Sequence, residues 1–214
     1  YSQYCMGNNL NSSSALSQFD IKEEDQLRAD MYSFIANVIR TEPSQDLIDT
    51  IKNLKGDDSN IGSAIKLLSK FASTLHLSEI QDEYVNLFVG VGRGELLPFA
   101  SYYMTGFLND KPLSKLRNDM NMIGIERLEE VKEPEDHVSS LFDIMSGLIT
   151  GKFGKQFSIT EQSEFFEKHL NAWVHLLMSD IESAKTAVFY APVGALGKEF
   201  INIEREAFRM NISG

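Results

Sequence analysis

The apolar residues between Val138 and Ile149 impose the strongest constraint on how this chain can fold. They recur at intervals of three or four positions, which is the period of one face of an α-helix. The pattern therefore predicts a helix whose apolar face lies in the core of the protein. The residues of this face are Val138, Leu141, Phe142, Met145, Leu148 and Ile149.

The five residues Glu133, Pro134, Glu135, Asp136 and His137 come directly before this apolar pattern. Proline is favoured at the first position of a helix, where its missing N–H costs nothing, so we expect the helix to begin at Pro134. Glu135 and Asp136 then fall in the first turn, where carboxylates meet unpaired N–H groups. The local sequence allows two interpretations of these five residues. They either form only a well-formed helix start, or they also form a polar cluster that is presented to a ligand.

The remaining segments favour short amphipathic helices separated by capping residues, prolines and glycines. We predict a helix from Pro98 to about Leu108, a loop over 125–132, and one long helix that Thr160 caps and that continues past Trp173. No segment alternates with a sustained period of two, and no internal repeat is found in the sequence. The predicted class is therefore all-α, a compact orthogonal bundle of about ten helices.

The predicted domain organisation follows the order of the chain. Residues 1–18 are polar and have no period, which is typical of a poorly ordered tail. We expect an N-terminal helical part over 19–90, a hinge or linker over 91–97, and a C-terminal helical part over 98–214. Because such hinges let helices exchange between copies, we also expect monomers to coexist with a domain-swapped homodimer.

The composition of the chain limits the classes of partner that it can bind and the cellular compartment in which we expect it. The net charge is −11 and 43% of the residues are hydrophobic, which argues against a nucleic-acid phosphate as partner and favours a basic one. The single cysteine, Cys5, excludes a disulfide framework and a thiolate metal cluster. The sequence has no apolar run of about 18 residues and no signal-peptide pattern, so we expect a cytoplasmic protein that is neither exported nor inserted in a membrane.

The sequence offers little for catalysis or for metal binding. Gly90, Gly92 and Gly94 resemble part of a dinucleotide-binding loop, but Glu95 stands where its last glycine is required. No histidine has a glutamate three residues before it, as a di-iron bundle would need, and no nucleophile elbow occurs. We therefore predict no catalytic residue, no metal and no cofactor. A small-molecule or nucleotide-dependent enzyme or switch on an all-helical scaffold is the alternative.

The five residues that precede the apolar pattern read Glu-Pro-x-Asp-His, which closely resembles the signature of the TorD/DmsD family of cytoplasmic redox-enzyme maturation chaperones. Upstream, residues 84–90 and 98–103 resemble the family's Y-x-x-L-F-x-G and P-x-x-S-x-aromatic segments. Downstream, residues 166–173 and 189–190 resemble its F-x-x-H-L-x-x-W and F-Y segments. The resemblance extends over roughly residues 20–208.

This resemblance implies a binding protein rather than an enzyme, closest to the trimethylamine N-oxide reductase type. Such a chaperone holds the twin-arginine signal peptide of an apo-molybdoreductase, of the trimethylamine N-oxide or dimethyl sulfoxide reductase kind. The peptide is held until the molybdenum cofactor has been inserted, and export follows. The task requires an apolar groove for the hydrophobic part of the signal and acids for its arginine pair.

The resemblance also indicates which residues would contact the signal peptide. An apolar group would supply the groove, and the motif would supply the acids together with the run from Glu126 to Asp136. That run contains six acids and two bases, a local net charge of −4, and such a run is either merely solvated or able to receive arginines. The expected site residues are Leu87, Phe88, Pro98, Phe99, Ser101, Tyr103, Glu133, Pro134, Asp136 and His137.

Overall fold

The computed structural model describes residues 4–6, 21–90, 94–128 and 131–212. Within these ranges the chain forms ten α-helices, one π-helical turn and one two-stranded sheet, so the predicted all-α class is confirmed. None of the helices in the described ranges has the length and apolar character that crossing a membrane requires. The helices are α1 (Glu23–Arg40), α2 (Gln45–Lys52), α3 (Asn60–Thr74), α4 (Leu77–Tyr84), α5 (Ala100–Thr105), α6 (Lys111–Met122), α7 (Val138–Thr150), α8 (Ile159–His169), α9 (Val174–Ser183) and α10 (Tyr190–Ile212); the π-helical turn is Val85–Val89, and the strands are β1 (Tyr4–Met6) and β2 (Ile125–Arg127).

The chain is organised as two compact units, and each is assembled from separated segments. The first contains the described residues of 1–36, 99–172 and 211–214, and the second those of 37–98 and 173–210. The predicted division into 19–90 and 98–214 instead follows the order of the chain. That division and the hinge over 91–97 stay predictions, because residues 91–93 lie outside the described ranges. Most of the predicted tail over 1–18 lies outside them too, although Tyr4–Met6 form β1.

Helix α7 lies in the core of the first unit. All six residues of its predicted apolar face are completely buried, which confirms that this helix faces the core. The ring of Tyr32, on α1, meets the ring of Phe142 edge to face at 5.2 Å, and the hydroxyls of Ser33 and Ser146 are 2.9 Å apart. A Cβ on Gly147 would lie only 2.3 Å from the ring of Phe153, so a larger residue there would displace that ring.

Three predicted boundaries are wrong. Residues Ile125–Arg127 were expected in a loop, but they pair as β2 with β1 in antiparallel register, a partner more than a hundred residues away that local patterning does not reveal. Helix α5 begins at Ala100 and not at Pro98, because Phe99 has extended backbone angles. The long helix expected after Thr160 is two helices, and Ser158 caps the first of them. The interruption comes where the N–H groups of Leu170 and Asn171 both donate to the carbonyl of Phe166.

In the second unit, the buried carboxylate of Glu83 holds the start of α10. Its Oε1 accepts the N–H groups of Val188 and Tyr190 at 2.8 and 2.7 Å, and its Oε2 accepts the N–H of Phe189 at 3.0 Å. Helix N-termini leave such donors without partners inside the helix. Glu83 therefore caps α10 from α4, about a hundred residues earlier in the chain.

Glu83→Ala should lower the free energy of unfolding by about 2–4 kcal/mol, since two or more buried N–H groups lose a charged acceptor. Glu83→Gln keeps the volume and one acceptor oxygen, so its loss should be smaller. A urea titration followed by circular dichroism measures both. The neighbouring Asp82→Ala is the matched control, because Asp82 is exposed and its loss should stay within about 0.5 kcal/mol. Equal losses for Glu83→Ala and Asp82→Ala would contradict the capping role.

Candidate functional site

The structure changes the predicted start of the helix that follows the Glu-Pro-x-Asp-His motif. Helix α7 begins at Val138, and His137 is its N-cap residue, so the expectation that Pro134 opens the helix is wrong. Nδ1 of His137 accepts the N–H of Ser139 at 3.2 Å and lies 2.6 Å from the Ser139 hydroxyl. Because the histidine already caps the helix, Glu135 and Asp136 lie in a turn before it and not in its first turn.

Asp136 instead caps a different helix, α5. Its backbone carbonyl accepts the N–H of Ala100 at 2.9 Å, and its Oδ2 accepts the N–H of Ser101 at 2.8 Å. The residue has no solvent-exposed surface. Its second carboxylate oxygen, Oδ1, is buried and has no hydrogen-bond partner among the described residues. Leaving such an oxygen without a donor costs roughly 1–3 kcal/mol, so this atom calls for an explanation.

His137 and Phe99 bring the motif and the start of α5 together. The two residues form an isolated antiparallel bridge, and their rings meet edge to face at 5.0 Å. Ser101, the first-turn residue of α5, is fully buried and its hydroxyl accepts the N–H of Asn109 at 3.2 Å. Five of the predicted site residues, Phe99, Ser101, Tyr103, Asp136 and His137, therefore belong to one local arrangement in the first unit.

Two arginines of the chain itself bind the acidic part of the motif. Arg117, on α6, donates from Nε and Nη2 to Oε2 of Glu135 at 3.1 and 2.8 Å, and Arg127 on β2 lies 3.6 Å from its Oε1. Arg127 also donates to the carbonyl of Glu133 at 2.9 Å. Burial raises the pKa of Glu135, but the hydrogen bonds and charges of the arginines outweigh burial, and the net pKa is lowered. Part of the acidic run is thus neutralised internally.

Glu133 is the exposed acid of the motif. Desolvation, followed by the negative charge of Asp136, raises its pKa above the ordinary value. Pro134 beside it is half-buried. Of the other acids in the predicted run, Glu126 is exposed on β2, whereas residues 129 and 130 lie outside the described ranges. Glu133 and Asp136 are therefore the two motif carboxylates to which the structure gives no arginine partner within the described residues.

The apolar residues expected to form a groove are divided between the units. Phe99 and Tyr103 are half-buried in the first unit, whereas Leu87, Phe88 and Pro98 belong to the second. Leu87 is completely buried, and the ring of Phe88 packs against those of Tyr84 and Tyr190, each at 5.3 Å. The role of these residues in binding stays a prediction.

Sequence reasoning missed Arg117, which is 18 residues from Glu135 and outside the acidic run that drew attention. It also did not predict the carboxylate partner of His169. In the structure, Nε2 of His169 lies 2.8 Å from Oδ2 of Asp119. Burial lowers the pKa of this histidine, and the charge of Asp119 offsets part of that effect. The described residues contain no group of three or more side chains placed to hold a metal ion.

Comparison with known proteins assigns this helical fold and its motif to a class. The fold is shared with a redox enzyme maturation protein from Archaeoglobus fulgidus, whose crystal structure matches with a TM-score of 0.53 and 16% identity, covering 91% of this chain and 98% of that one. The family model for the nitrate reductase delta subunit matches residues 54–179, more than half of the chain. The chain therefore belongs to this family.

Individual relatives agree with this membership. The TorD chaperone of Vibrio atlanticus strain LGP32 is 25% identical over 210 residues, covering 87% of this chain and 97% of that protein. The TorD chaperone of Psychrobacter sp. strain PRwf-1 is 24% identical over 163 residues, covering 72% of this chain and 73% of that protein. The resemblance to the TorD/DmsD chaperones found in the sequence is confirmed.

Replacing Arg117 should make stability depend on pH in a defined direction. A lowered pKa of Glu135 contributes stability above its unfolded-state pKa, and that contribution is lost as pH falls through the folded-state value. In the Arg117→Gln variant, the hydrogen bonds and charge of Arg117 no longer oppose the effect of burial on Glu135, so the pKa of Glu135 should rise. The free energy of unfolding should fall by about 1–2 kcal/mol at neutral pH. This loss is modest because the guanidinium is half exposed, so that solvent screens the ion pair. In acid, the difference in the free energy of unfolding between the variant and the unsubstituted protein should shrink.

Carboxyl ¹³C NMR measures the pKa of Glu135. Urea titrations at about pH 7 and about pH 4 measure the free energy of unfolding above and just below the ordinary pKa of a glutamate. Lys132→Gln, which also removes a cation close to the motif in sequence, is the control and should leave the pKa of Glu135 nearly unchanged. A loss of stability in Arg117→Gln that is the same at both pH values would contradict the ion pair as its cause.

Proposed function

We propose that this protein is a chaperone for the maturation of a molybdoenzyme and that it binds the twin-arginine signal peptide of the apoenzyme. The client would be a reductase of the trimethylamine N-oxide or dimethyl sulfoxide type. The chaperone would act in the cytoplasm, holding the peptide until the molybdenum cofactor has been inserted into the client and so preventing premature export. Membership of the nitrate reductase delta subunit family and the TorD relatives support this proposal.

The observation that carries the proposal is the carboxylate of Asp136. Its Oδ1 is buried and without a donor among the described residues. An arginine guanidinium is the side chain best suited to such an oxygen, because it keeps its charge and donates from several N–H groups. Glu133, exposed three residues earlier, offers a second carboxylate to the other arginine of the pair.

Reaching Asp136 requires a local rearrangement, because the residue has no exposed surface. The residues directly before it in the chain are held by Arg127, through the carbonyl of Glu133, and by Arg117, through Glu135. The arginines of a signal peptide would bind the neighbouring carboxylates of Asp136 and Glu133. Exposing Asp136 would then require these contacts of Arg117 and Arg127 to loosen.

The apolar residues of the predicted site would contact the hydrophobic segment of the signal. Phe99 and Tyr103 are half-buried, and the ring of Phe99 meets that of His137 in the motif. Aromatic surfaces bury much area when an apolar helix or strand docks. Leu87, Phe88 and Pro98, which belong to the second unit, stay candidates on the sequence resemblance alone. Ser101, Pro134 and His137 would act by positioning: the serine and histidine hold the ends of α5 and α7, and the proline restricts the turn between them.

We infer that the protein acts by binding and not as an enzyme, which the chaperone relatives support. The alternative of a nucleotide-dependent switch predicts stabilisation by nucleotide alone. A ligand at a hundred times its Kd raises the free energy of unfolding by about 2.7 kcal/mol, so a thermal-shift screen with nucleotides separates the two functions.

Asp136→Asn should separate capping from recognition. The amide oxygen can still accept the N–H of Ser101, so the melting temperature should change little, whereas the charge that receives an arginine is gone. We expect the Kd for a synthetic twin-arginine signal peptide to rise about ten- to a hundredfold, which corresponds to a charge-assisted hydrogen bond worth roughly 1.5–3 kcal/mol. Isothermal titration calorimetry at two salt concentrations measures this effect.

Asp82→Asn is the matched control, since it removes one exposed negative charge from the second unit, and it should leave the Kd nearly unchanged. A peptide with both arginines replaced by glutamine should bind the unsubstituted protein at least as weakly as the original peptide binds Asp136→Asn, because it loses the contact with Glu133 as well. If Asp136→Asn has an unchanged Kd and an unchanged melting temperature, then Asp136 only caps α5 and does not bind the peptide. No heat with any reductase signal peptide would refute the proposed function.

We further propose that a homodimer forms by exchange of helices through the segment over 91–97. Its described part is held in place: the N–H of Leu96 donates to the carbonyl of Leu87 at 2.8 Å, and Glu95 accepts the N–H of Lys185 and the hydroxyl of Thr186. Glu95→Ala should loosen this connection and increase the dimer fraction severalfold. Light scattering across a dilution series measures the fraction, and a single species throughout, in both proteins, would refute the exchange.

A further inference from the structure

A cavity of about 290 Å³ opens on the first unit between helices α5, α6, α7 and α8. Its apolar surface comes from Ala100 and Met104 of α5, Leu116 of α6 and Leu141 of α7. Ala100 and Leu116 are buried, and Leu141 is completely so. The volume lies at the lower end of the range for small-molecule pockets, which is too small for a packed helix of a partner but suits a compact ligand.

Three lysines, Lys111, Lys115 and Lys168, line the same cavity, and none of the described residues that line it is acidic. In the described part of the chain none of the three ammonium groups has a carboxylate partner. Elsewhere Lys52, Lys66, Lys155 and Lys198 are each paired with an acid, whereas Lys70 is exposed without such a pair among the described residues. What distinguishes the three cavity lysines is that they border one apolar cavity whose described lining contains no acid, which favours an anionic ligand.

The positive charges of two of these lysines act on a residue that lines the cavity. His169 lines it, and the pKa of His169 is lowered first by burial and further by the positive charges of Lys115 and Lys168, against the opposing effect of Asp119. The positive field of both lysines thus reaches a buried side chain at the cavity surface. Lys111 contributes less, because Asp110 caps the same end of α6 through the N–H of Lys111.

Exposed apolar side chains follow the cavity residue Met104 in the chain. Met104 is both part of the cavity and about half exposed, and in the turn that follows it Phe107 and Leu108 are exposed by 70% and 45%. Gly106, with φ of +82°, allows the tight turn that leaves them in solvent. An apolar surface bordered by cations on one side matches a ligand that has an apolar body and an anionic head.

We propose that this cavity is a second binding site and that it takes a small amphipathic anion, with an apolar body on Leu116 and Leu141 and a carboxylate, phosphate or sulfonate head between Lys115 and Lys168. The occupant differs from the proposed client peptide in charge and in size. The inference therefore goes beyond the proposed function, and it does not depend on it.

The test uses three probes with one alkyl chain and different heads: octanoate, octan-1-ol and octylammonium. Titration of the ¹⁵N-labelled protein, followed by amide chemical shifts, locates the site and gives each Kd. We expect octanoate to bind with a Kd of about 0.1–5 mM, as the size of the probe allows, and to shift the amides of α5, α6 and 168–169. Octanol should bind several-fold more weakly, and octylammonium about tenfold or more.

The variants isolate the contribution of charge without altering the core. Lys115→Gln and Lys168→Gln should each weaken octanoate binding about two- to fivefold, as expected for an exposed ion pair, and together about four- to twenty-fivefold. Neither should change the affinity for octanol. Lys70→Gln, on the exposed surface of α3 in the second unit, is the matched control and should bind octanoate like the unsubstituted protein.

Three results would overturn the proposal. One is equal affinity for the three probes, which would reduce the cavity to a non-specific apolar surface. Another is the absence of amide shifts in this region up to about 10 mM octanoate. The last is binding to vesicles of anionic phospholipid, lost in the double variant, without any binding of octanoate, because this region would then be a membrane-docking surface and not a small-molecule site.

Discussion

The arrangement of the candidate site depends on the contact between Asp136 and the first turn of α5. A short helix of six residues has little stability of its own, because nucleation is costly and few internal hydrogen bonds repay it. The carbonyl and the carboxylate of Asp136 together satisfy two of its N–H groups. Without this contact the start of α5, the bridge between Phe99 and His137, and the mouth of the lysine-lined cavity would lose their common support.

A buried carboxylate also caps a helix in the second unit, where Glu83 accepts the N–H groups at the start of α10. The two carboxylates differ in how many of their oxygens accept a hydrogen bond. Both oxygens of Glu83 accept backbone N–H groups, whereas Asp136 uses one oxygen and retains another without a donor among the described residues. A saturated buried carboxylate is structural, and a half-used one stores unfavourable free energy that a cationic partner can release. That difference would distinguish an architectural acid, Glu83, from the proposed recognition acid, Asp136.

Local patterning predicted the elements that local forces determine. The apolar face of α7 was predicted residue by residue, because burial imposes the period of 3.6 directly on the sequence. The start of α7 was misplaced because histidine is an uncommon cap and Pro134 suggested an earlier start. The pairing of β1 with β2, the attachment of Asp136 to α5 and the ion pair of Arg117 with Glu135 join residues distant in sequence, and a single sequence carries no signal for them. The motif itself was found through resemblance, whereas the lysine-lined cavity is formed only when four separate helices are placed together.

The interleaving of the two units along the chain has a consequence for synthesis on the ribosome. The first unit lacks its largest segment until residue 172 has been made, and the second lacks one of its two segments until residue 210. At usual elongation rates the stretch between residues 36 and 172 takes roughly 7–27 s. During that time the first-unit residues on the buried face of α1, Ala29, Tyr32 and Ile35, have no completed core to join. Nascent chains of this protein therefore expose apolar surface for most of their translation, so slow codons or early termination would be expected to yield aggregation-prone fragments and not a folded half.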